Sequence, residues 1–249
     1  GCVPSKSIIH AAGLAHEARH AATVGINVAE VSVDFKKVMQ SIHAGIAKVE
    51  PHDSIERYTG LGVNCLTGTA KIIDPWTVEI DTAQGKQVRT ARNIVIAAGG
   101  RPRVLPIPGI DEVGYYTSDS LWEIEDQPKH LLVIGAGPIG CELAQSFHRL
   151  GSKVTMIDPA PHILGREDSD VVAEITKQLE SEGINLLSGC KPSSFKLENG
   201  IKIASIETPD GQVELELEFD VMLMAVGREA NINGYGIENI DIELDERGF

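Results

Sequence analysis

Basic residues are scarce in this chain. Lysine and arginine number 22 against 36 aspartates and glutamates, a formal net charge of −14. A surface with that balance repels phosphate backbones and anionic headgroups, which argues against nucleic acid or a membrane surface as partner. Long apolar runs are also missing. No stretch approaches the roughly 20 residues that cross a bilayer, and no basic-then-apolar leader opens the chain. Cysteine is sparse: Cys2, Cys65, Cys141 and Cys190 are scattered over 249 residues, unlike the disulfide framework of a small secreted domain. A reducing cytoplasm is the expected compartment. Internal repeats and low-complexity tracts are lacking too. The chain does not open on methionine, and its closing DERGF, with Ile242, Leu244 and Phe249, reads as strand material without partner strands. It is therefore expected to be an internal portion of a longer polypeptide, cut at both ends.

What the chain does contain is a strand, glycine turn, helix, strand and acid in succession over residues 131–158. Leu131 to Ile134 are four apolar residues in a row, suited to a strand buried on both faces. Gly135, Gly137 and Gly140 follow at G-x-G-x-x-G spacing, then Leu143, Phe147 and Leu150 recur at helical spacing. Gly151 stops that helix, and Val154 to Ile157 form a second run ending in Asp158. Gly135 permits a tight turn, Gly137 admits the approach of a pyrophosphate, and Gly140 lets helix and strand pack closely. The free N–H groups of the helix N-terminus face the phosphates, Pro138 and Ile139 lie near the nicotinamide ring, and Asp158 is placed for a ribose 2′-hydroxyl. An acid there favours NAD, since it repels the 2′-phosphate of NADP; the nearby Arg166 leaves NADP open.

The opening GCVPSK starts a helix through Pro4, Ser5, Lys6, Ile8, Ile9, Ala12 and Ala15, with Pro4 in the first turn. Cys2 then lies just before the positive end of the helix dipole and near Lys6, both of which favour a thiolate. Within that helix HEARH, residues 16–20, matches the H-E-x-x-H zinc-hydrolase motif, with His16 and His20 on one face and Glu17 as base. No convincing third ligand follows, and an alanine-rich helix with a polar face is the preferred reading; no metal site is expected. Asp34 caps a second helix whose face is Phe35, Val38, Met39, Ile42, Ile46 and Val49, ended or kinked by Pro51. VNCLTG, TAKIID, TVEID and KQVRT read as short strands, with Cys65 facing inward. Ile94 to Ala98 read as a buried strand ending in Gly99 and Gly100. Residues 106–122 read as a Pro/Gly linker followed by a short capped helix at Ser118 to Trp122. Downstream come an amphipathic helix from Asp168 to Glu182 with Val171, Ile175 and Leu179 on its face, a strand in INLLSG, and an alternating stretch turned at Asp210-Gly211. A strand from Val221 to Val226 then ends in Gly227-Arg228. Cys141 is expected to be a packing residue, and Cys190, in a loop after Gly189, need not be catalytic.

These segments resemble, in order, the flavin-dependent pyridine nucleotide–disulfide oxidoreductases, with mercuric reductase-like or dihydrolipoamide dehydrogenase-like character. GCVPSK is similar to the second half of that family's C-x-x-x-x-C active-site helix, so the resemblance makes Cys2 the flavin-proximal redox thiol and Lys6 the lysine beside the flavin. Glu142 matches the glutamate that pairs with this lysine. AAGGRP resembles the A-x-G-x-x-P turn that brings Gly99 close to the flavin, and VGREANING the glycine-arginine turn at Gly227, with Ala230-Asn231 where Pro-Asn is usual. The family's first active-site cysteine, its amino-terminal FAD fingerprint and its carboxy-terminal catalytic residues have no counterpart here.

The expected fold is α/β, a three-layer Rossmann-like NAD-binding domain joined to a partial FAD-binding domain. The boundaries read as 1–116 for the partial FAD domain, 117–233 for the NAD(P) domain, and 234–249 for the return to the FAD or central domain. The resemblance implies FAD and NAD or NADP as cofactors, hydride passing from NAD(P)H to FAD and then to a cysteine pair, and a homodimer. The substrate would be a small-molecule disulfide, lipoamide or a metal ion. A noncatalytic NAD-binding module is the alternative reading, and a zinc hydrolase through HEARH a remoter one.

Overall fold

The computed structural model describes residues 1–211 and 214–245. In chain order it contains α1 (Cys2–His20), α2 (Phe35–Val49), α3 (Ile55–Gly60), β1 (Thr69–Asp74), β2 (Thr77–Thr82), β3 (Gly85–Thr90), β4 (Gly100–Pro102), α4 (Ile110–Val113) and β5 (Tyr116–Thr117). There follow β6 (His130–Ile134), α5 (Pro138–Leu150), β7 (Lys153–Asp158), α6 (Ser169–Glu182), β8 (Asn185–Ser188), β9 (Lys191–Glu198), β10 (Ile201–Glu207), β11 (Glu214–Phe219), β12 (Val221–Met224) and β13 (Arg228–Ala230). The chain divides into two compact units: Gly1–Lys48 with Pro102–Gly227, and Val49–Arg101 with Arg228–Phe249.

The first unit is built on a parallel sheet of order β5-β12-β6-β7-β8. Its central strand shows why the sequence is apolar at every position. Leu131 and Val133 join one core with Ile8, Ala12, Phe35, Met39, Ile42, Leu143, Phe147 and Leu179, contributed by α1, α2, α5 and α6. Leu132 and Ile134 join a second core with Ile110, Phe195, Ala204, Ile206 and Phe219. That second face is covered by α4 and by an antiparallel sheet of order β11-β10-β9. Strand alternation therefore divides four successive residues between two cores, giving three layers: helices, parallel sheet, antiparallel sheet. The expected three-layer α/β fold is what the structure shows.

Local chemistry explains the helix limits. Asp34 Oδ1 accepts from the Lys37 N–H at 3.1 Å, the expected cap of α2, and Pro51 lies in the 3-10 turn that ends it. Gly151, at φ +116°, terminates α5 with its N–H on the His148 carbonyl. α1 begins at Cys2 rather than after it, with Gly1 as cap and Pro4 buried within the first turn. On α6 the buried residues are Val172 and Leu179, while Val171 is exposed. The apolar stripe is thus set by Val172, Ile175 and Leu179 at i, i+3 and i+7, which turns Val171 outward. Residues 106–117 are more structured than a linker. Ile110 and Val113 are buried in the second core, the Phe195 N–H donates to the Pro108 carbonyl, and a Cβ on Gly109 would overlap the Phe195 carbonyl oxygen. The short helix expected at Ser118 is a 3-10 turn at Leu121–Glu123.

The second unit carries the antiparallel sheet β1-β2-β3 and a two-stranded ribbon of β13 and β4. Its apolar interior is small, with Ile72 and Ile80 as its buried hydrophobic residues among those described. Two expected strands do not form. VNCLTG is irregular, and Cys65 is half-buried rather than in a core. Ile94 to Ala98 is also irregular, with Val95 87% exposed. Among the described residues neither segment has a strand laddered to it, and an apolar run without a neighbour's backbone has nothing to satisfy its own N–H and C=O groups. Ile242 and Leu244 lie on irregular, exposed chain, and Phe249 falls outside the described residues.

Candidate functional site

The glycine turn between β6 and α5 has three glycines with three different surroundings. Gly135 has φ +102°, and a Cβ there would stand 2.5 Å from the Ala225 carbonyl oxygen. A Cβ on Gly140 would overlap the Gly135 carbonyl oxygen, so helix and turn touch backbone to backbone. A Cβ on Gly137 would meet nothing within 4 Å. Gly135 and Gly140 are required by the protein's own packing; Gly137 faces open space at the head of α5. No side chain caps that helix, Pro138 at its first position is exposed and Ile139 half-buried. The donors ahead of the first helical hydrogen bond are left to an incoming group.

Asp158 stands at the end of β7 beside this turn. Its Oδ2 accepts from the Ala136 N–H at 2.7 Å and its Oδ1 from the Ala160 N–H at 2.8 Å. The expected acid is therefore next to the loop, with both oxygens already engaged by backbone. Cys141, one turn into α5, is buried with its Sγ 3.5 Å from the Ala136 carbonyl. Burial, with Asp158 and Glu142 nearby, pushes its thiol up to about 11, and burial also raises Cys190. Neither thiol is chemically available as a thiolate near neutral pH.

α1 packs along α5, and Ile8, Ala12, Leu143, Ala144 and Phe147 share one apolar core. This brings Lys6 Nζ to 2.8 Å from Glu142 Oε1, across 136 residues of sequence, with both side chains partly exposed. Cys2 is exposed at the start of the same helix, one turn before Lys6. The expected catalytic trio thus lies on two neighbouring helices, α1 carrying Cys2 and Lys6 and α5 carrying Glu142.

The residues of the glycine-arginine turns in the second unit, Gly99–Arg101 and Arg228–Asn231, form one local assembly. β4 and β13 pair, Arg228 donates to the Gly100 carbonyl at 2.6 Å, and Arg101 meets Glu229 at 3.1 Å. Asn231 donates its side-chain amide to the Ala98 carbonyl at 3.0 Å and its N–H to the Gly99 carbonyl. Gly99 and Gly227 have φ of +70° and +109°. The asparagine that stands in the expected Pro-Asn position ties one turn to the other.

HEARH takes another course. His20 Nδ1 lies 2.8 Å from the His16 carbonyl and the two rings are 4.1 Å apart, while Glu17 is exposed. Among the described residues no three His, Cys, Asp or Glu side chains gather to hold a metal. Sequence reasoning missed what His16 approaches: Glu182 at the end of α6, whose carboxylate takes two hydrogen bonds from Arg149 at 2.6 and 2.8 Å and one each from Gln145 and Gln178. It missed too the Asn199-Gly200 turn between β9 and β10, where both residues have positive φ; Asn-Gly between alternating residues was the available signal.

An open glycine turn stands at the head of α5, and the Lys6–Glu142 ion pair joins that helix to one that opens on a cysteine. The pyridine nucleotide-disulphide oxidoreductase family model matches residues 1–249, and the chain belongs to that family. Over its whole length it is 37% identical to dihydrolipoamide dehydrogenase of Chaetomium thermophilum, covering 50% of that protein. It is 32% identical to dihydrolipoyl dehydrogenase of Bacillus subtilis and 32% identical to mercuric reductase of Bacillus cereus, covering 54% and 38% of them. Its fold is similar to that of the HOCl-induced flavoprotein disulfide reductase RclA from Escherichia coli, with a TM-score of 0.79 and 25% identity over all of this chain and 51% of that one. The chain spans about half the length of the curated relatives it matches. FAD and NAD(P)H are the family's cofactors. The open cradle at Gly137 fits a dinucleotide; the sequence holds one G-x-G-x-x-G and no second. No helix among the described residues is long and apolar enough to cross a membrane.

Proposed function

We propose that this chain is the central part of an FAD-dependent NAD(P)H:disulfide oxidoreductase, carrying the nicotinamide-nucleotide site and the flavin-proximal half of a redox cysteine pair. The observation that carries the reading is the 2.8 Å ion pair from Lys6 to Glu142, because it couples the cysteine helix to the nucleotide helix. When bound, the cofactors supply hydride transfer, NAD(P)H as donor and FAD as acceptor. The chain's own groups bind and orient. The N–H groups at the head of α5 receive the pyrophosphate over Gly137, Gly135 and Gly140 hold the turn, and Asp158 receives the adenosine ribose. Pro138 and Ile139 border the nicotinamide, and Gly99 and Gly227 lie in the turns that pass near the flavin. Lys6 and Glu142 neutralise one another beside the reacting rings. Cys2, at the start of α1, and a second cysteine together give up two electrons and two protons in forming a disulfide, or take them up when that disulfide is reduced.

The partner substrate is a small disulfide, lipoamide or a metal ion, handled by a cytoplasmic homodimer. Residues 1–116 and 234–249 belong to the flavin side and 117–233 to the nucleotide side. The test is an absorption titration of the purified full-length protein with NADH under anaerobic conditions. A bound-flavin spectrum that gains a long-wavelength band, lost in Cys2→Ser, supports the proposal. A colourless protein that still binds NADH returns it to a noncatalytic nucleotide-binding module.

A further inference from the structure

Ala136, between the first two glycines of the turn, is 2% exposed. Its N–H is buried and needs an acceptor, and the acceptor is the Asp158 carboxylate at 2.7 Å. The other carboxylate oxygen takes the Ala160 N–H at 2.8 Å. Three further backbone bonds run along the same seam: Gly135 N–H to the Ile157 carbonyl, Leu164 N–H to the Ala136 carbonyl, and Gly189 N–H to the Ala160 carbonyl. Leu164 adopts φ +50° in making its bond, a left-handed conformation that costs a branched-chain residue energy and persists where the surroundings demand it. The glycine turn is thus stitched to residues 157–164, and Asp158 is the one charged stitch.

We infer that Asp158 is a positioning residue for the nucleotide loop, presetting the Gly135–Ala136 peptide so that the donors at the head of α5 face a pyrophosphate before any nucleotide arrives. The inference rests on the dinucleotide reading of this site and adds to it a role separate from any ribose contact. Each carboxylate oxygen has two lone pairs. One on each oxygen serves the backbone, leaving the others for a ribose hydroxyl, so the two roles coexist on one side chain. A hydrogen bond to an ionised carboxylate is among the stronger ones available. Its loss leaves a buried N–H that must find another partner by turning the loop.

The two roles separate by choice of ligand. Fluorescence titrations of wild type, Asp158→Asn and Asp158→Ala are run with NADH and with its analogue lacking the adenosine 2′-hydroxyl. In parallel, amide exchange is measured at Ala136 in nucleotide-free protein. The expected result is that Asp158→Ala weakens binding of both ligands, each by about tenfold or more. Ala136 exchange should quicken while the amides of Leu132 and Val133 stay protected. Undiminished affinity of Asp158→Ala for the 2′-deoxy analogue, with Ala136 exchange unchanged, overturns the inference and leaves a ribose contact alone. Should wild type bind neither ligand, the dinucleotide reading fails instead, and Ala136 exchange in the free protein still decides whether Asp158 holds the loop.

Discussion

Replacing Glu182 by glutamine removes a charge from the most heavily bonded carboxylate in the helical layer. Burial alone would raise this acid, but Arg149, bound through two nitrogens, together with Gln178 and Gln145 holds it from an ordinary 4.5 down to about 2. At about 1.4 kcal/mol per pH unit, that difference is worth about 3 kcal/mol. The pKa of the folded state lies below that of the unfolded chain. The stabilisation is therefore fully present above about pH 4.5 and is lost as the pH falls toward 2. Glutamine has the shape of the protonated acid, so Glu182→Gln should cost about 3 kcal/mol at pH 6, and the difference from wild type should narrow to about half near pH 3. Urea unfolding of the two proteins across that range, read by circular dichroism, measures it. A cost below about 1 kcal/mol at pH 6, or one that does not change between pH 6 and pH 3, would refute the reasoning. His16, whose Nδ1 is 4.0 Å from Glu182 Oε2, is held below the usual imidazole range by burial and then by Arg149.

The glycine turn gives a paired expectation. Gly140→Ala forces a Cβ onto the Gly135 carbonyl and should cost more than about 2 kcal/mol in thermal or urea unfolding. Gly137→Ala fills open space, so stability should stay within about 0.5 kcal/mol while NADH titration shows weakened binding. Timed alkylation with iodoacetamide at pH 8, followed by peptide mass spectrometry, should label Cys2 first, Cys65 more slowly, and Cys141 and Cys190 only on unfolding. Early labelling of Cys141, buried and raised to about 11, would contradict the packing described for α5.

Strand β6, the glycine turn, α5 and β7 were legible in the sequence because each is decided within a few residues. A doubly buried strand is apolar throughout, the turn needs glycine, and the helix carries its own period and stop. The same holds for Asp34 and Pro51 at the ends of α2. Ile94 to Ala98 and VNCLTG were misread for the opposite reason. Their composition suits strands, but a strand exists only with a neighbour, and no composition shows whether a neighbour is there. The Glu182 cluster was hidden because Arg149, Gln145 and Gln178 meet the acid only after α5 and α6 pack. The sequence showed ordinary polar faces on two amphipathic helices. Lys6 and Glu142 stood out through resemblance alone. Nothing in their local sequence links residues so far apart, and the structure supplies the cause in the apolar contact of α1 with α5.

That contact sets a problem of timing for the ribosome. Lys6 emerges 136 residues ahead of Glu142, an interval on the order of ten seconds at ordinary elongation rates. For that time Ile8 and Ala12 have no α5 to cover them, and α1 lacks the tertiary packing that supplies most of a helix's stability in a protein. The cysteine-bearing helix is made well before the helix it packs on, so its exposed thiol passes through synthesis on a segment that is still searching for its seat.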